Sequence, residues 1–352
     1  MRSTIISLLL FSSLFLQNLY AEEAKRAYTF SELAKKGKML VVNIRSAEVA
    51  REGGGPLKDF FRLGDHLKAE LKDGSLGTGF IIDPAGLVLT AYHVIAPQPR
   101  NRVAKEITVR LPDGRELPAD VIGKDRKLDV ALLRIEEGEG FHAAVLGDSA
   151  GLEIGEWVMT VGNAFGIEEA VTVGVVSGTG RVLGAGPYDH FIQTDAAIHA
   201  GNSGGPLLNI YGEVIGMNAA VSASGQGIGF ATPINMIKKI LTSLEKDGKV
   251  TRGWLGVMIQ SLTRDLARAF QLKDDSGALV SEVMKKSPAE EAGVLRGDVI
   301  MKFDGKPVGK MHDLPSLVAE TPVGKAVSLD LIRDGAPLTL RVKISLLKED
   351  SE

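Results

Sequence analysis

Short apolar runs separated by glycine, aspartate and proline make up the chain up to about Ala231. Runs such as Ile107-Thr-Val-Arg-Leu111 and Trp157-Val-Met-Thr-Val161 have the length of strands, and almost no part of this region repeats apolar residues at helical spacing. Met39-Leu-Val-Val-Asn-Ile44 is interpreted as the first strand. The spacing predicts two packed β-barrels with a cleft between them.

A helical pattern follows the strands. Thr232 can cap a helix, and Pro233 suits its first turn. The apolar face of this helix consists of Ile234, Ile237, Ile240, Leu241 and Leu244. The run Lys246-Asp-Gly-Lys249 breaks the pattern, so residues 247–252 are predicted to be a linker. The predicted division is an N-terminal arm at 22–38, the barrels at 39–246, a second domain at 253–346 and a tail at 347–352.

Composition bounds the size and the partners of the protein. The chain has 352 residues, 44% of them hydrophobic, which is enough for two ordinary cores. Its 41 basic and 44 acidic residues give a formal net charge of −3, without a basic stripe. This balance argues against nucleic acid and against an anionic membrane surface as partners.

Residues 1–21 have the features of an export signal. Arg2 supplies the positive start, Ile5–Leu16 an apolar stretch, and Leu19-Tyr-Ala21 a cleavage site. The apolar stretch is short for a spanning helix, and an uncleaved membrane anchor is the alternative. Export leads to an oxidising compartment, yet the chain has no cysteine, so its cores must hold it together without disulfides.

Ser203 lies among glycines, in Gly201-Asn-Ser-Gly-Gly-Pro-Leu207. A serine without bulky neighbours can be approached by a carbonyl carbon, and the N–H groups of Ser203 and Gly201 could hold the oxyanion that forms. The segment alone also fits a polar turn between strands. A nucleophilic role for Ser203 therefore depends on a base and an orienting acid elsewhere in the chain.

The order of the histidine, the acid and the serine along the chain distinguishes between folds that carry a nucleophilic serine. The α/β-hydrolase elbow pattern fits Ser203 but places its acid and histidine after the serine, where only His312 is available. His93 ends two strands joined by a turn at Asp83–Gly86, and Asp129 immediately precedes a buried apolar run. We expect Asp129 to accept a hydrogen bond from His93 Nδ1, so that Nε2 can take the Ser203 proton.

Three motifs resemble those of the HtrA (high-temperature-requirement) serine proteases: Thr90-Ala-Tyr-His-Val94, Leu128-Asp-Val-Ala-Leu-Leu133 and Gly201-Asn-Ser-Gly-Gly-Pro-Leu207. The resemblance covers nearly everything after the leader. It implies an all-β chymotrypsin-like double barrel followed by a small α+β PDZ domain. Two departures are Ala91, where the family often has asparagine, and His199-Ala200, where Asn-Pro is common; the second puts the resting shape of the oxyanion loop in doubt.

The resemblance also implies regulatory parts. The stretch Ala47–Ser75 corresponds to a loop that can cover or contact the active site, and Arg181 to an arginine linking the PDZ domain to the activation loops. Tyr28 and Phe30 are candidates for the subunit contact of a homotrimer or a higher oligomer of trimers. The alternatives are an ordinary insertion for the loop, a solvated side chain for Arg181, and packing of the N-terminal arm for Tyr28 and Phe30.

In chymotrypsin-like enzymes, the residue six before the nucleophile lies at the base of the primary specificity pocket, which makes Ala197 that residue here. Ile228 and Phe230 are the predicted walls, so we expect an apolar pocket for small to medium aliphatic side chains. Asp195 has a different spacing and is interpreted as structural. His199 could modulate activity near neutral pH, although neutral loop variation is the simpler interpretation.

Residues from Trp254 onward resemble a PDZ domain. Trp254, Leu255, Gly256 and Val257 match its carboxylate-binding loop, whose N–H groups would hold a peptide C-terminus. The pattern Ser287–Ile300 fits the helix, turn and strand of that domain. A generic small α+β domain is the alternative.

The resulting hypothesis is an exported, periplasmic serine endopeptidase that cleaves unfolded or misfolded polypeptides and is regulated by protein C-termini. No metal or nucleotide cofactor is expected, because the histidines lack HExxH spacing and no phosphate-binding glycine loop is present. Two alternatives remain open. One is a holdase-type chaperone with a dormant cleft, supported by His199-Ala200, and the other is a signalling protease held at the membrane by an uncleaved leader.

Overall fold

A computed structural model describes residues 26–47, 74–96, 102–162, 170–184, 186, 188–199, 201–221, 227–270 and 272–348. The predicted leader at 1–21 lies outside the described residues, as does nearly all of the predicted covering loop. In the part of the chain that is described, no helix combines the length and the apolar character needed to cross a bilayer.

The first barrel has six strands and closes on itself in the order β1-β2-β3-β6-β5-β4. Its strands are β1 Val41–Ala47, β2 Gly74–Asp83, β3 Leu87–Ala91, β4 Glu106–Arg110, β5 Glu116–Asp125 and β6 Val130–Ile135. Every residue of β3 is buried, and the turn before it is closed by the Gly86 N–H donating to the Asp83 carbonyl at 3.0 Å. The expected hairpin is therefore confirmed.

The second barrel follows the order β11-β8-β9-β10-β13-β12 and closes through the β11–β12 pairing, while β7 adds a parallel strand at β12. The strands are β7 Val145–Leu146, β8 Trp157–Gly162, β9 Ala170–Arg181, β10 Phe191–Thr194, β11 Pro206–Asn209, β12 Glu213–Val221 and β13 Gly229–Pro233. The double barrel expected from the short apolar runs is confirmed. Its cleft is where the segments after β3 and before β11 meet.

A helix that the strand pattern did not predict precedes the first barrel. Helix α1, Phe30–Leu40, occupies most of the predicted arm and the beginning of the predicted first strand, so the prediction of a strand from Met39 was wrong. Thr29 and Glu32 form a capping box at its start, with two reciprocal hydrogen bonds, and Leu33 packs into the core. The first strand begins at Val41.

Two further helices belong to the barrels. Helix α2, Tyr92–Ile95, immediately follows β3, and α3, Ile234–Asp247, follows β13. The apolar face predicted for α3 is buried at Ile234, Ile237, Ile240 and Leu244. Thr232 is part of β13, where it pairs with Met217, and Pro233 is the N-cap without a side-chain cap, so the predicted cap by Thr232 was wrong.

The C-terminal domain has its own core, centred on Val280, Ile300 and Leu329. Its elements are β14 Gly253–Trp254, β15 Val257–Ser261, α4 Arg264–Ala269, β16 Ala278–Val283, α5 Pro288–Glu291, β17 Val299–Phe303, β18 Lys306–Pro307, α6 Asp313–Ala319, β19 Ala326–Arg333, β20 Ala336–Lys343 and β21 Ser345–Leu346. The sheet order is β15-β16-β17-β19-β20, with β18 on β17 and β14 paired to β21. The predicted helix, turn and strand after Ser287 are present.

A buried ion pair ties this domain to the first barrel. Arg252 Nη1 donates to Asp125 Oδ1 at 3.1 Å, a second bond joins Nη2 to Oδ2, and both side chains are at least nine-tenths buried. The guanidinium also lies 4.8 Å from the centre of the Tyr188 ring. Lys239 on α3 pairs with Glu320 just after α6 at 2.5 Å. Between these contacts lies a cleft of about 1060 Å³.

Candidate active site

His93 and Asp129 meet at the edge of the first barrel. Strand β3 delivers His93 on the first turn of α2, and Asp129 immediately precedes β6, the neighbour of β3 in the sheet. His93 Nδ1 lies 2.7 Å from Asp129 Oδ2, and the His93 backbone N–H donates to Asp129 Oδ1 at 2.9 Å. The Tyr92 N–H donates to the Asp129 carbonyl at 3.1 Å. The expected contact between His93 and Asp129 is thus formed, and both carboxylate oxygens are engaged.

The backbone of Asp129 has a φ of 55°, in the left-handed region that non-glycine residues rarely adopt. Such strain persists where the surroundings over-determine it and is found most often at functional sites. Here the bonds from Tyr92 and His93 hold it. The strained turn aims the carboxylate of Asp129 at the imidazole.

The pKa of His93 lies above its ordinary value. Burial is the largest single influence and disfavours the imidazolium, but the hydrogen bond and the negative charge of Asp129 together outweigh it and raise the pKa. The imidazole side chain is still 42% exposed, so the ring is accessible from the cleft. Asp129 therefore stabilises the protonated ring, which is the form that a general base reaches after taking a proton.

The second barrel brings Ser203 to the same place. The Thr78 N–H donates to the Ser203 carbonyl at 3.0 Å, and Thr78 Oγ1 donates to the Gly201 carbonyl at 2.5 Å. Gly204 has a φ of 82°, and a Cβ on it would lie 2.7 Å from the Ala91 nitrogen. Because Ala91 is two residues before His93, this approach sets the Ser203 segment against the strand that ends at His93.

A hydrogen bond between the Ser203 hydroxyl and His93 is not formed among the described residues. Catalytic hydrogen bonds are often long before substrate binds and tighten in the reacting complex. The structure thus joins two of the three predicted catalytic residues directly and brings the third alongside them.

The backbone N–H groups around Ser203 differ in their hydrogen bonding. The N–H groups of Gly204 and Gly205 donate within the protein, to the carbonyls of Asn218 and Asn202. Gly201 has a φ of 98°, and within the described segments neither its N–H nor that of Ser203 has a backbone partner. These two are the donors predicted for the oxyanion hole.

The three residues predicted to form the specificity pocket are buried or half-buried. Phe230 is 7% exposed and packs edge to face on Phe191, and Ala197 and Ile228 are half-buried. Ile198, between Ala197 and His199, is 3% exposed, and its Cδ1 lies 2.7 Å from where a Cβ on Gly229 would stand. Asp195 is structural as expected, since its carboxylate accepts the Val175 N–H at 2.7 Å.

Arg181 is the last residue of β9, and His199 lies four residues before Ser203. The guanidinium of Arg181 is exposed and folds over Gly178, with Nε 2.6 Å from where a Cβ on that glycine would stand. His199 accepts the Asn202 N–H on its carbonyl at 3.0 Å, which forms a turn just before Ser203. Among the described residues, a buried interdomain link is made by Arg252, which the sequence placed only in a linker.

The loop Trp254–Val257 borders a cavity of about 440 Å³. The Gly256 carbonyl accepts the Met284 N–H and the Leu255 carbonyl accepts the Ala289 N–H, both at 2.9 Å. Gly256 has a φ of 82°, and a Cβ there would lie 2.2 Å from Ser287 Cβ. Residues of strand β15 and of helix α6 line the cavity, and an exposed strand beside a cavity suits an extended peptide.

Comparisons with known proteins agree with this arrangement. Residues 77–217 match the model of the trypsin-like peptidase domain, and residues 253–344 match that of the PDZ domain. A probable periplasmic serine endoprotease DegP-like of Hahella chejuensis (strain KCTC 2396) is 41% identical over 338 residues, covering 91% of this chain and 71% of that protein. The solved HtrA-type protease AlgW with tripeptide is 34% identical, with a TM-score of 0.78 over 92% of this chain and 98% of that one. The chain belongs to the HtrA family of serine endoproteases.

Membership of the HtrA family confirms the predicted fold class, a chymotrypsin-like double barrel followed by a PDZ domain. Some relatives are longer. A DegP-like protein of Ectopseudomonas mendocina (strain ymp) is 46% identical over 281 residues, which are 79% of this chain but 58% of that protein. The chain thus spans a little over half the length of such HtrA relatives.

Proposed function

We propose that this chain is a serine endopeptidase in which Ser203 is the nucleophile, His93 the general base and Asp129 the orienting acid. The observation that carries the proposal is the 2.7 Å contact of His93 Nδ1 with Asp129 Oδ2, beside a Ser203 segment docked on β2 and β3. With Nδ1 engaged by the carboxylate, Nε2 is the ring nitrogen left to take a proton.

The reaction begins when the Ser203 hydroxyl passes its proton to His93 Nε2 while Oγ bonds to the scissile carbonyl carbon. The carbonyl electron pair moves to oxygen, and the N–H groups of Gly201 and Ser203 donate to this oxyanion. The C–N bond then breaks, and His93 returns the proton to the leaving amine. Water repeats the sequence on the acyl-enzyme with His93 again as base, which releases the acid and restores Ser203.

The proposed substrates carry a small to medium aliphatic side chain at the cleaved bond. Ala197 at the base with Ile228 and Phe230 as walls would offer no charge to an acidic or basic side chain, and burying such a charge unpaired is costly. Peptides that differ only in valine, arginine or aspartate at this position would test the pocket. We expect the valine peptide to have the highest kcat/KM.

Unfolded polypeptides and their C-termini are the proposed partners. The Trp254–Val257 loop would hold a terminal carboxylate while the peptide adds to β15, as PDZ domains do. The buried Arg252–Asp125 pair joins the PDZ domain to the first barrel, giving peptide binding a physical route to the cleft loops. Arg181 is retained as a proposed regulatory residue of those loops.

We propose an exported, periplasmic location, in agreement with the leader at 1–21 and with relatives that are named periplasmic. A homotrimer is the proposed assembly. Phe30 and Trp157 form an exposed edge-to-face pair with ring centres 5.4 Å apart, which supplies an apolar patch for subunit contact. Tyr28, in contrast, packs on its own chain, with Lys36 Nζ 4.9 Å from its ring centre.

The experiment that tests this function is cleavage of an unfolded protein by the intact chain, with and without a peptide that ends in a hydrophobic residue. Ser203→Ala is the control, because it removes the nucleophile and keeps the fold. Cleavage by the intact chain alone, increased by the peptide, is the expected result. Binding of the unfolded protein without cleavage under either condition would replace this proposal by a holdase function.

A further inference from the structure

Three side chains with metal-ligating atoms meet where the barrels contact the PDZ domain. His190 immediately precedes β10, while His312 and Asp313 stand at the start of α6. One donor atom from each lies within 4.8 Å of the other two. The two imidazole rings approach edge to face, with centres 4.8 Å apart. The residues come from both domains, so the cluster exists only when the domains are together.

A backbone hydrogen bond fixes the position of the Asp313 carboxylate. The Lys310 backbone N–H donates to Asp313 Oδ2 at 2.8 Å, while Oδ1 lies 3.8 Å from His312 Nε2. One oxygen is thus fixed by the backbone, and the other faces the imidazole. Second partners of this kind orient carboxylate ligands in metal sites.

The donor chemistry of the three side chains suits a metal ion. Each imidazole offers one nitrogen lone pair, and the carboxylate offers an oxygen. Two imidazoles and one carboxylate are a donor set that suits zinc, with a position left for water.

We propose that His190, His312 and Asp313 bind one Zn²⁺ ion across the domain junction. Bonds to nitrogen and oxygen of about 2.0–2.2 Å place tetrahedral donors about 3.4 Å apart. The donors, now within 4.8 Å of one another, must therefore close by at most about 1.4 Å, which small side-chain rotations can supply. Zinc has no preferred geometry from its d electrons, so it tolerates a site that is completed by such small rotations.

The ion has a consequence for peptide binding, which rests on the proposed function. His312 lines the 440 Å³ cavity beside the Trp254–Val257 loop, and His190 lines the larger interdomain cleft. Linking His312 to His190 fixes the start of α6, one wall of the peptide groove. Zinc should therefore change the affinity for a peptide with a hydrophobic C-terminus.

The test uses the untagged full chain in metal-free buffer, titrated with Zn²⁺ by calorimetry and with Co²⁺ by visible absorption. We expect one ion per chain and a tetrahedral Co²⁺ spectrum. His190→Gln, His312→Gln and Asp313→Asn should each weaken binding by at least about tenfold. His142→Gln, at an exposed histidine elsewhere, and His93→Gln should leave the metal affinity unchanged.

Circular dichroism and the metal-free unfolding temperature show whether each variant is folded. The absence of stoichiometric binding by the wild type would overturn the site, and so would wild-type affinity in folded His190→Gln and His312→Gln. Loss of binding in His93→Gln alone would place the ion at the catalytic pair and also overturn it. A labelled peptide tests the consequence: Zn²⁺ should change its affinity for the wild type but not for His190→Gln. Peptide binding in neither condition would refute the PDZ ligand, while the Co²⁺ spectrum still decides the metal site.

Discussion

The substitution Gly204→Ala adds one methyl group where the Ser203 segment packs against strands β2 and β3. Gly204 has a φ of 82°, and a Cβ there would lie 2.3 Å from the Thr78 carbonyl oxygen, 2.4 Å from Thr90 Oγ1 and 2.7 Å from the Ala91 nitrogen. The first and last of these atoms belong to backbone of β2 and β3, which cannot move aside without disturbing the barrel. Gly204→Ala should therefore push the Ser203 segment away from His93.

The magnitude follows from two contributions. A non-glycine residue in the left-handed region costs about 1–2 kcal/mol, and overpacking a well-packed site costs about 1–3 kcal/mol more. We expect Gly204→Ala to lower the free energy of unfolding by about 2–5 kcal/mol. A displacement of about 1 Å at a catalytic centre can lower the rate about 100-fold, so kcat/KM should fall by about that factor.

Gly114→Ala is the matched control. Gly114 has a φ of 88° but nothing within 4 Å of a built Cβ, so it carries the conformational cost without the clash. We expect a loss of about 1–2 kcal/mol and unchanged kcat/KM. Urea unfolding and hydrolysis of a valine peptide give the two measurements. If Gly204→Ala matched Gly114→Ala in both, the docking of Ser203 on β2 and β3 would not matter for its function.

Three other substitutions test separate parts of the account. Asp129→Asn keeps a residue that tolerates the left-handed turn but removes the charge that raises the pKa of His93, so the acid limb of kcat/KM should move to lower pH and kcat fall by about 10⁴. Arg252→Met leaves Asp125 buried without its partner and should cost about 3–5 kcal/mol by urea unfolding. Thr29→Ala removes the cap of α1 and should cost about 1 kcal/mol in the same assay.

The wild type and one control complete these tests. The rise of wild-type kcat/KM with pH should be centred above about 6.5, since only deprotonated His93 can act as base. Lys239→Ala breaks an exposed ion pair with Glu320 and should cost less than about 1 kcal/mol. If the acid limb of kcat/KM did not move in Asp129→Asn, the effect of its charge on His93 would be refuted. If Arg252→Met lost no more free energy of unfolding than Lys239→Ala, the buried pair would not stabilise the fold. If Thr29→Ala had the stability of the wild type, the cap would contribute nothing.

The barrels and the contact of His93 with Asp129 were predictable because their signals are local. Short apolar runs define strands, and His93 and Asp129 each lie within two residues of a strand, β3 or β6, that the sheet then fixes in space. The PDZ loop is likewise a short motif. Packing changed only local bounds: the first strand begins at Val41, and β3 ends at Ala91, so that His93 lies on α2 and not at the strand end that the sequence predicted.

The sequence did not reveal features that depend on competing local preferences or on residues far apart in the chain. The capping box at Thr29 and Glu32 was present in the sequence, but the charged composition of α1 masked it. Thr232 has the residue type of a cap, yet pairing with β12 extends β13 through it. Arg252 and Asp125 are 127 residues apart, so nothing local could join them.

The most direct test of the central claim is covalent labelling of the intact chain with a fluorophosphonate, in the presence of a peptide that ends in a hydrophobic residue. Intact mass and peptide mapping should show one adduct per chain, on Ser203, and none in Ser203→Ala. Labelling should be much slower in His93→Ala, because the hydroxyl then lacks its base. No adduct in the wild type, or an adduct on another residue, would contradict the assignment of Ser203 as the nucleophile.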